Sequence, residues 1–231
     1  IGVLQSCSKD NQSDAAQEIL TNPAEYTFMA DVPYGENGSQ VYDLYLPKNR
    51  TLNTRVMILV HGGGWNAGDK ADLKDFKDFL QTQFPDMAVV NINYRLADKD
   101  NPPYPMQIND ITAVVNDLKA KQKGYYIGTD LGFIGGSAGA HLSLLWAYKF
   151  DLQQQVKMVC SIVGPTNLAD DAYINSESQE LKDLIFQFGT DIEGLKEVSP
   201  LYQVKANAPP TILFYGAQDP LIPVSQATSL N

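Results

Sequence analysis

Five consecutive apolar residues, Val56-Met57-Ile58-Leu59-Val60, make a run too short for a helix and too uniformly apolar for a strand with one wet face. Such a run suits a strand buried on both sides, which needs helices over both faces of its sheet. Comparable runs recur at Met87–Asn93, Leu131–Ile134, Val156–Val163 and Thr211–Tyr215. Between them lie segments with helical spacing. Leu73, Phe76 and Leu80 follow a capping Asp69; Ile108, Ile111, Val115 and Leu118 recur within Met106–Lys121; Leu142, Leu145 and Trp146 form a third set. Strands alternating with helices specify an α/β fold with a mainly parallel sheet. Tyr26–Val32 and Gln40–Leu46 alternate apolar and polar residues instead, as an antiparallel pair with one exposed face does, and Gly35, Asn37 and Gly38 supply the turn between them.

Residues 1–22 are polar and without period, and read as a tail ahead of one domain over 23–231. Within that domain, residues 164–208 are too long for a plain crossover. They hold an amphipathic helix, Gln179–Phe188, and are expected to form a lid or cap. The chain's 231 residues can bury a core without staples, and its two cysteines rule out a disulfide framework. Cys160, inside a strand, is expected to be a small buried apolar residue. Two histidines make a His-rich metal site improbable, and no metal or cofactor is expected. A net charge of −10 with no basic run argues against nucleic acid and anionic membrane surfaces as partners. No uninterrupted apolar run exceeds five residues, so none of these residues forms a membrane-spanning helix.

Three loops carry the chemistry. Leu131–Ile134 runs directly into Gly135-Gly136-Ser137-Ala138-Gly139, and a helix opens there. A nucleophile on a sharp strand-to-helix turn needs small neighbours, and the turn aims the Ala138 N–H at the place where an oxyanion would develop. His61-Gly62-Gly63-Gly64-Trp65 ends an earlier strand. Its glycines can turn the N–H groups of Gly63 and Gly64 into a pocket, and no Lys-Ser or Lys-Thr follows to make a nucleotide loop. Gly216-Ala217-Gln218-Asp219-Pro220 also follows a strand. A carboxylate there can orient an imidazole, or serve only a surface turn.

In this order the three segments resemble the α/β-hydrolase superfamily, and more finely the serine esterases of BD-FAE type, with their HGGGW oxyanion loop and GGSAGAH elbow. Bacterial acetyl and feruloyl esterases acting on plant polysaccharide look like this, as do kynurenine formamidases, and Asn93-Tyr94-Arg95-Leu96 matches too. The resemblance implies Ser137 as nucleophile, the N–H groups of Gly63, Gly64 and Ala138 as oxyanion hole, and Asp219 as the acid. Trp65 and Tyr104 are candidates to line an acyl pocket. The implied substrate is a small ester or an esterified carbohydrate. An arylformamidase or serine exopeptidase on the same site, and a non-catalytic binding module, are the alternatives.

The chain departs from that pattern in one respect. The triad order is Ser, Asp, His, and no histidine follows Asp219. The expectation is therefore a chain cut at its C-terminus, with the last strand and helix missing, catalysis impaired, and a sheet edge that lowers stability or is covered in a homodimer. His141, four residues past Ser137 on the same helix, is expected to be structural, and His61 to brace the oxyanion loop. Asp170 and Asp171 read as a solvated loop pair. At the start, Leu4-Gln5-Ser6-Cys7 resembles a bacterial lipoprotein signal. It implies a lipid on Cys7 as the one membrane contact, and an exported protein of the periplasm or cell surface.

Overall fold

A computed structural model describes residues 20–230. The expected lipidation at Cys7 lies outside the described residues. Seven strands, β1 (Thr27–Pro33), β2 (Val41–Leu46), β3 (Val56–Val60), β4 (Ala88–Ile92), β5 (Leu131–Gly136), β6 (Val156–Ile162) and β7 (Thr211–Phe214), form one sheet in the order β1-β2-β4-β3-β5-β6-β7. β2 pairs antiparallel with both β1 and β4, and all pairs from β4 to β7 are parallel. Every residue of β3 and β4 is buried, as a strand covered on both faces must be.

The helices are α1 (Lys74–Gln83), α2 (Pro103–Ala120), α3 (Gln122–Tyr125), α4 (Ala138–Leu145), α5 (Asp171–Ile174), α6 (Gln179–Phe186), α7 (Ile192–Glu197) and α8 (Ser225–Thr228). The pleat of β3 divides the core. Met57 and Leu59 pack with Leu80 of α1, Val89, Ile134 and Cys160 on one face. Ile58 and Val60 join Ile108, Ile111, Val115, Leu142 and Leu145 of α2 and α4 on the other. Cys160 is a buried free thiol, as a small apolar residue would be.

Some boundaries differ from the sequence reading. α2 is interrupted at Tyr104, whose φ −108, ψ 135 is extended backbone, so its continuous part runs from Pro105, one residue before Met106, where proline fits the first helical turn. Asp69 caps a 3₁₀ turn, Lys70–Leu73, and α1 follows it. Residues 1–22 were expected to form the tail, yet the Thr21 N–H and hydroxyl both donate to the Gly124 carbonyl, at 3.0 and 2.7 Å. The 164–208 excursion holds α5 and α7 besides α6; helices of four and six residues are too short to show a period. At the β7 margin, Ile212 and Phe214 are about half exposed.

Candidate active site

β3 has β4 on one side and β5 on the other, so the order of connection reverses at β3. In open α/β sheets the crevice outside the C-terminal strand ends at such a point is where ligands bind. The register puts the strand ends level there, Val60 opposite Gly135 and Gly136 opposite Ile162. The glycine loop and the elbow leave the sheet side by side.

Ser137 stands at φ 49, ψ −117, a backbone that a non-glycine residue adopts only when its surroundings force it. Three restraints do so. Its N–H donates to the Ile162 carbonyl at 2.8 Å, its own carbonyl accepts from the His141 N–H at 3.1 Å, and α4 packs tightly on the end of β3. The side chain is half-buried. The glycine loop abuts it: a Cβ placed on Gly62 would lie 3.3 Å from Ser137 Cβ and 3.0 Å from the Gly136 carbonyl oxygen. Gly63 at φ 112 and Gly64 at φ 57 hold conformations that need glycine. No protein acceptor takes the N–H of Gly63 or Gly64 among the described residues. Ala138 opens α4, so its N–H has no intrahelical partner. The N–H groups of Gly63 and Gly64 are thus free among the described residues, on the loop that abuts Ser137, and that of Ala138 is free of an intrahelical partner at the N-terminus of α4.

His141 is fully buried, with both ring nitrogens committed. Trp65 Nε1–H donates to Nδ1 at 3.2 Å, and Nε2–H donates to the Val198 carbonyl at 2.8 Å. These partners define the neutral tautomer, and burial lowers the pKa to about 4. His61 is fully buried too. It donates from Nδ1 to the Gly62 carbonyl at 2.7 Å and stacks on Tyr94 at 4.3 Å, and burial lowers its pKa as well. The Tyr94 hydroxyl donates to the His61 carbonyl at 2.9 Å. Neither imidazole reaches Ser137 Oγ as a base. His141 braces the elbow helix and His61 braces the loop.

The buried His141 also makes stability depend on pH. Its folded pKa of about 4 lies below the ordinary 6.5, so the unfolded chain binds a proton that the folded chain refuses. Stability from this group is complete above pH 6.5 and falls as pH drops from there to about 4, by about 3 kcal/mol in all. Urea unfolding across that window should show the slope, and His141→Gln should flatten it. An unchanged slope in the variant assigns the effect to other groups.

Asp219 lies at the C-terminal end of β7, half-buried, on the same edge of the sheet as Ser137. Its Oδ1 accepts from the N–H groups of Leu221 and Ile222, both at 2.9 Å, which closes a local turn and leaves Oδ2 without a hydrogen bond among the described residues. Trp65 is placed in the core rather than on a pocket wall. It is 1% exposed, edge-on to His141 and Phe188, and its backbone stands at φ 65. Tyr104 is half-buried, and its hydroxyl donates to Glu197 Oε1 at 3.2 Å, which commits its tip to α7. Asp170 caps α5, and its Oδ2 accepts from Ser225 Oγ and Gln226 Nε2, so it ties the excursion to α8.

Sequence reasoning missed the groups that hold the loop from behind. Gln107 of α2 is fully buried and donates from Nε2 to the carbonyls of Trp65 and Arg95, at 2.6 and 2.9 Å. Asp110, fully buried, receives the Arg95 side chain and N–H and Gln40 Nε2, which fixes the Asn93–Leu96 exit from β4. A glutamine and an aspartate on the apolar side of an otherwise amphipathic helix were the available signal. A separate cavity of about 500 Å³, lined by Met57, Leu80, Phe84 and Met158 among others, includes residues from the opposite ends of the strands and not Ser137.

Residues 42–231 match the family model described as BD-FAE, which is most of the chain. The chain belongs to the BD-FAE family. It is 28% identical to esterase LipC of Mycobacterium tuberculosis over 223 residues, 88% of this chain and 54% of LipC. It is 28% identical to kynurenine formamidase of Danio rerio over 144 residues, 59% of this chain and 45% of that enzyme. A truncated form of a carbohydrate esterase from gut microbiota superposes with a TM-score of 0.73 at 20% identity, over 91% of this chain and 84% of that one. That likeness shows the α/β-hydrolase fold. The chain spans about half the length of the curated esterases it matches.

Proposed function

We propose that this BD-FAE chain is the α/β-hydrolase domain of a serine carboxylesterase acting on small acyl or aryl esters, with acetyl and feruloyl groups of plant polysaccharide as the substrate class. One observation carries the reading. Ser137 is held at φ 49, ψ −117 against a glycine loop in which the N–H groups of Gly63 and Gly64 have no other acceptor among the described residues. That geometry suits a tetrahedral acyl intermediate. Ser137 Oγ adds to the ester carbonyl carbon, and the carbonyl oxygen takes the negative charge beside the N–H groups of Gly63, Gly64 and Ala138. Collapse expels the alcohol and leaves an acyl-serine, which water then hydrolyses. The Oγ proton goes to a base from outside these residues, imidazole in the test below, which then returns it to the departing alcohol oxygen; neither His61 nor His141 is placed to take it.

A groove of about 880 Å³, lined by Asn66, Asp98, Lys99, Asp183 and Gln187 among others, lies between the loop before α2 and α6, next to the oxyanion loop. Its amide and charged groups suit a hydroxylated alcohol portion, which supports the carbohydrate reading. Export as a lipoprotein, supported by Leu4-Gln5-Ser6-Cys7, would bring such a domain to polymer-derived esters.

The test is side-by-side turnover of p-nitrophenyl acetate, N-formylkynurenine and an aminoacyl anilide, with imidazole in the buffer as a base and Ser137→Ala as control. The ester is expected to turn over fastest, in a Ser137-dependent way. The similarity to kynurenine formamidase favours a second reading, and N-formylkynurenine hydrolysed ahead of the ester would establish it. A response to imidazole that is equal in the chain and its variant, for all three substrates, would point to a binding module.

A further inference from the structure

Free glycine N–H groups at the oxyanion loop are useful only if the loop cannot turn them away, and three glycines in a row are the least self-restrained backbone available. The loop is restrained through its carbonyls. The Gly62 carbonyl accepts from His61 Nδ1 at 2.7 Å. The Gly63 carbonyl accepts from the N–H groups of Asn66 and Ala67 at 3.2 and 2.9 Å. The Trp65 carbonyl accepts from the Ala97 N–H and Gln107 Nε2 at 2.9 and 2.6 Å. All these donors lie outside the 164–208 excursion, in the loop itself, in the 93–101 segment or on α2. The Gly64 carbonyl is different. It accepts from Nε2 of Gln187, 123 positions further along the chain and just past α6 in the excursion, at 3.1 Å.

Gln187 is itself fixed. Its second Nε2 hydrogen goes to the Leu184 carbonyl at 3.0 Å, so both of its donors are used and its amide orientation is determined. Its neighbours press on the same two loop residues. Leu184 Cδ1 lies 2.7 Å from where a Gly64 Cβ would be, and the Phe188 ring meets Trp65 edge-on at 4.9 Å and His141 at 5.4 Å.

We infer that Gln187 is a positioning residue for ester hydrolysis: by holding the Gly64 carbonyl it fixes the Gly64–Trp65 peptide plane and so limits rotation of the Gly64 residue whose own N–H is an oxyanion donor, and the seating of the excursion helix α6 thereby tunes the oxyanion hole. The kinetic part of this inference rests on the esterase reading; the structural part does not.

The experiment uses the full chain and three variants, Gln187→Ala, Gln187→Glu and Gln187→Lys. Backbone amide spectra report the loop directly. In Gln187→Ala the Gly64 and Trp65 amide signals should shift and broaden while the melting temperature stays within about 2 °C of the parent. With imidazole present, kcat for p-nitrophenyl acetate should fall about tenfold with KM within about twofold, because the interaction lost acts on the oxyanion and not on the bound ester. Glutamate has the same shape but offers the Gly64 carbonyl only an acceptor, and should do as badly. Lysine restores a donor and should recover part of kcat. Unchanged amide signals in Gln187→Ala, a fall in KM terms alone, or a glutamate variant equal to the parent would overturn the inference. If the parent chain shows no Ser137-dependent turnover, the esterase reading fails, and the amide spectra still decide whether Gln187 holds the loop.

Discussion

Imidazole added to the buffer should raise p-nitrophenyl acetate hydrolysis by this chain about tenfold, and Ser137→Ala should remove that rise completely. The magnitude comes from what the site holds and what it lacks. Nucleophile loop and oxyanion loop abut, whereas both histidines are fully buried: His141 has both nitrogens on structural partners, and His61 has Nδ1 on the Gly62 carbonyl and no bond from Nε2 among the described residues. A positioned base is worth about 10²–10⁴ in rate, and free imidazole recovers only part of this because it lacks the effective molarity of a tethered group. Catalytic groups that act as a unit are not additive, so without imidazole Ser137→Ala should cost little; oxyanion hole and binding alone supply about 10³–10⁴ over water in either form. Deacylation also needs a base. At low imidazole an acetyl group should therefore accumulate on Ser137 and be seen by intact mass. An equal imidazole response in the variant removes Ser137 as nucleophile. A large Ser137-dependent rate without imidazole, with an inflection below the ordinary imidazole value, would mean that one of the two buried histidines works as a base after all.

Gly139→Ala should cost several kcal/mol and lower the melting temperature by about 10 °C or more. Gly139 lies in the first turn of α4, two residues past Ser137, where the helix crosses the end of β3. A Cβ there would sit 2.2 Å from the Val60 carbonyl oxygen and 2.3 Å from that of His61. Both are backbone atoms, so no side chain can swing aside, and close-packed interiors transmit such a displacement. The helix would retreat from the strand and carry Ser137 away from Gly62 and Gly63. Gly136→Ala is the control. A Cβ at Gly136 meets nothing within 4 Å, so its melting temperature should stay near that of the parent. Equal stability in the two variants would show that the approach of α4 to β3 is looser than described, and the elbow's strain would then need another source.

Much of this architecture was legible without coordinates, because the signals were local. Val56–Val60 is apolar on both faces, so it had to be a covered strand, and it is buried throughout. Gly135-x-Ser137-x-Gly139 between a strand and a helix required small residues at a sharp turn, and the turn is there with φ 49 at Ser137. His61 bracing the glycine loop followed from its adjacency to that loop.

What the sequence left open depended on partners far along the chain. Trp65 follows three glycines and could face a ligand or the core; Phe188 and His141, both distant in sequence, place it in the core. His141 could have been a base until Trp65 Nε1 and the Val198 carbonyl took its two nitrogens. Gln187 carries no local pattern that marks it, and only the packing of α6 over Gly64 brings its amide to that carbonyl. Hydrophobic period and turn chemistry act between near neighbours, so the sequence by itself determined the strands, the elbow and the glycine loop. Hydrogen-bond partners and burial are set by contacts that exist only once the layers close, so the tertiary structure alone decided which imidazoles are spent, where Trp65 lies and what holds the oxyanion loop.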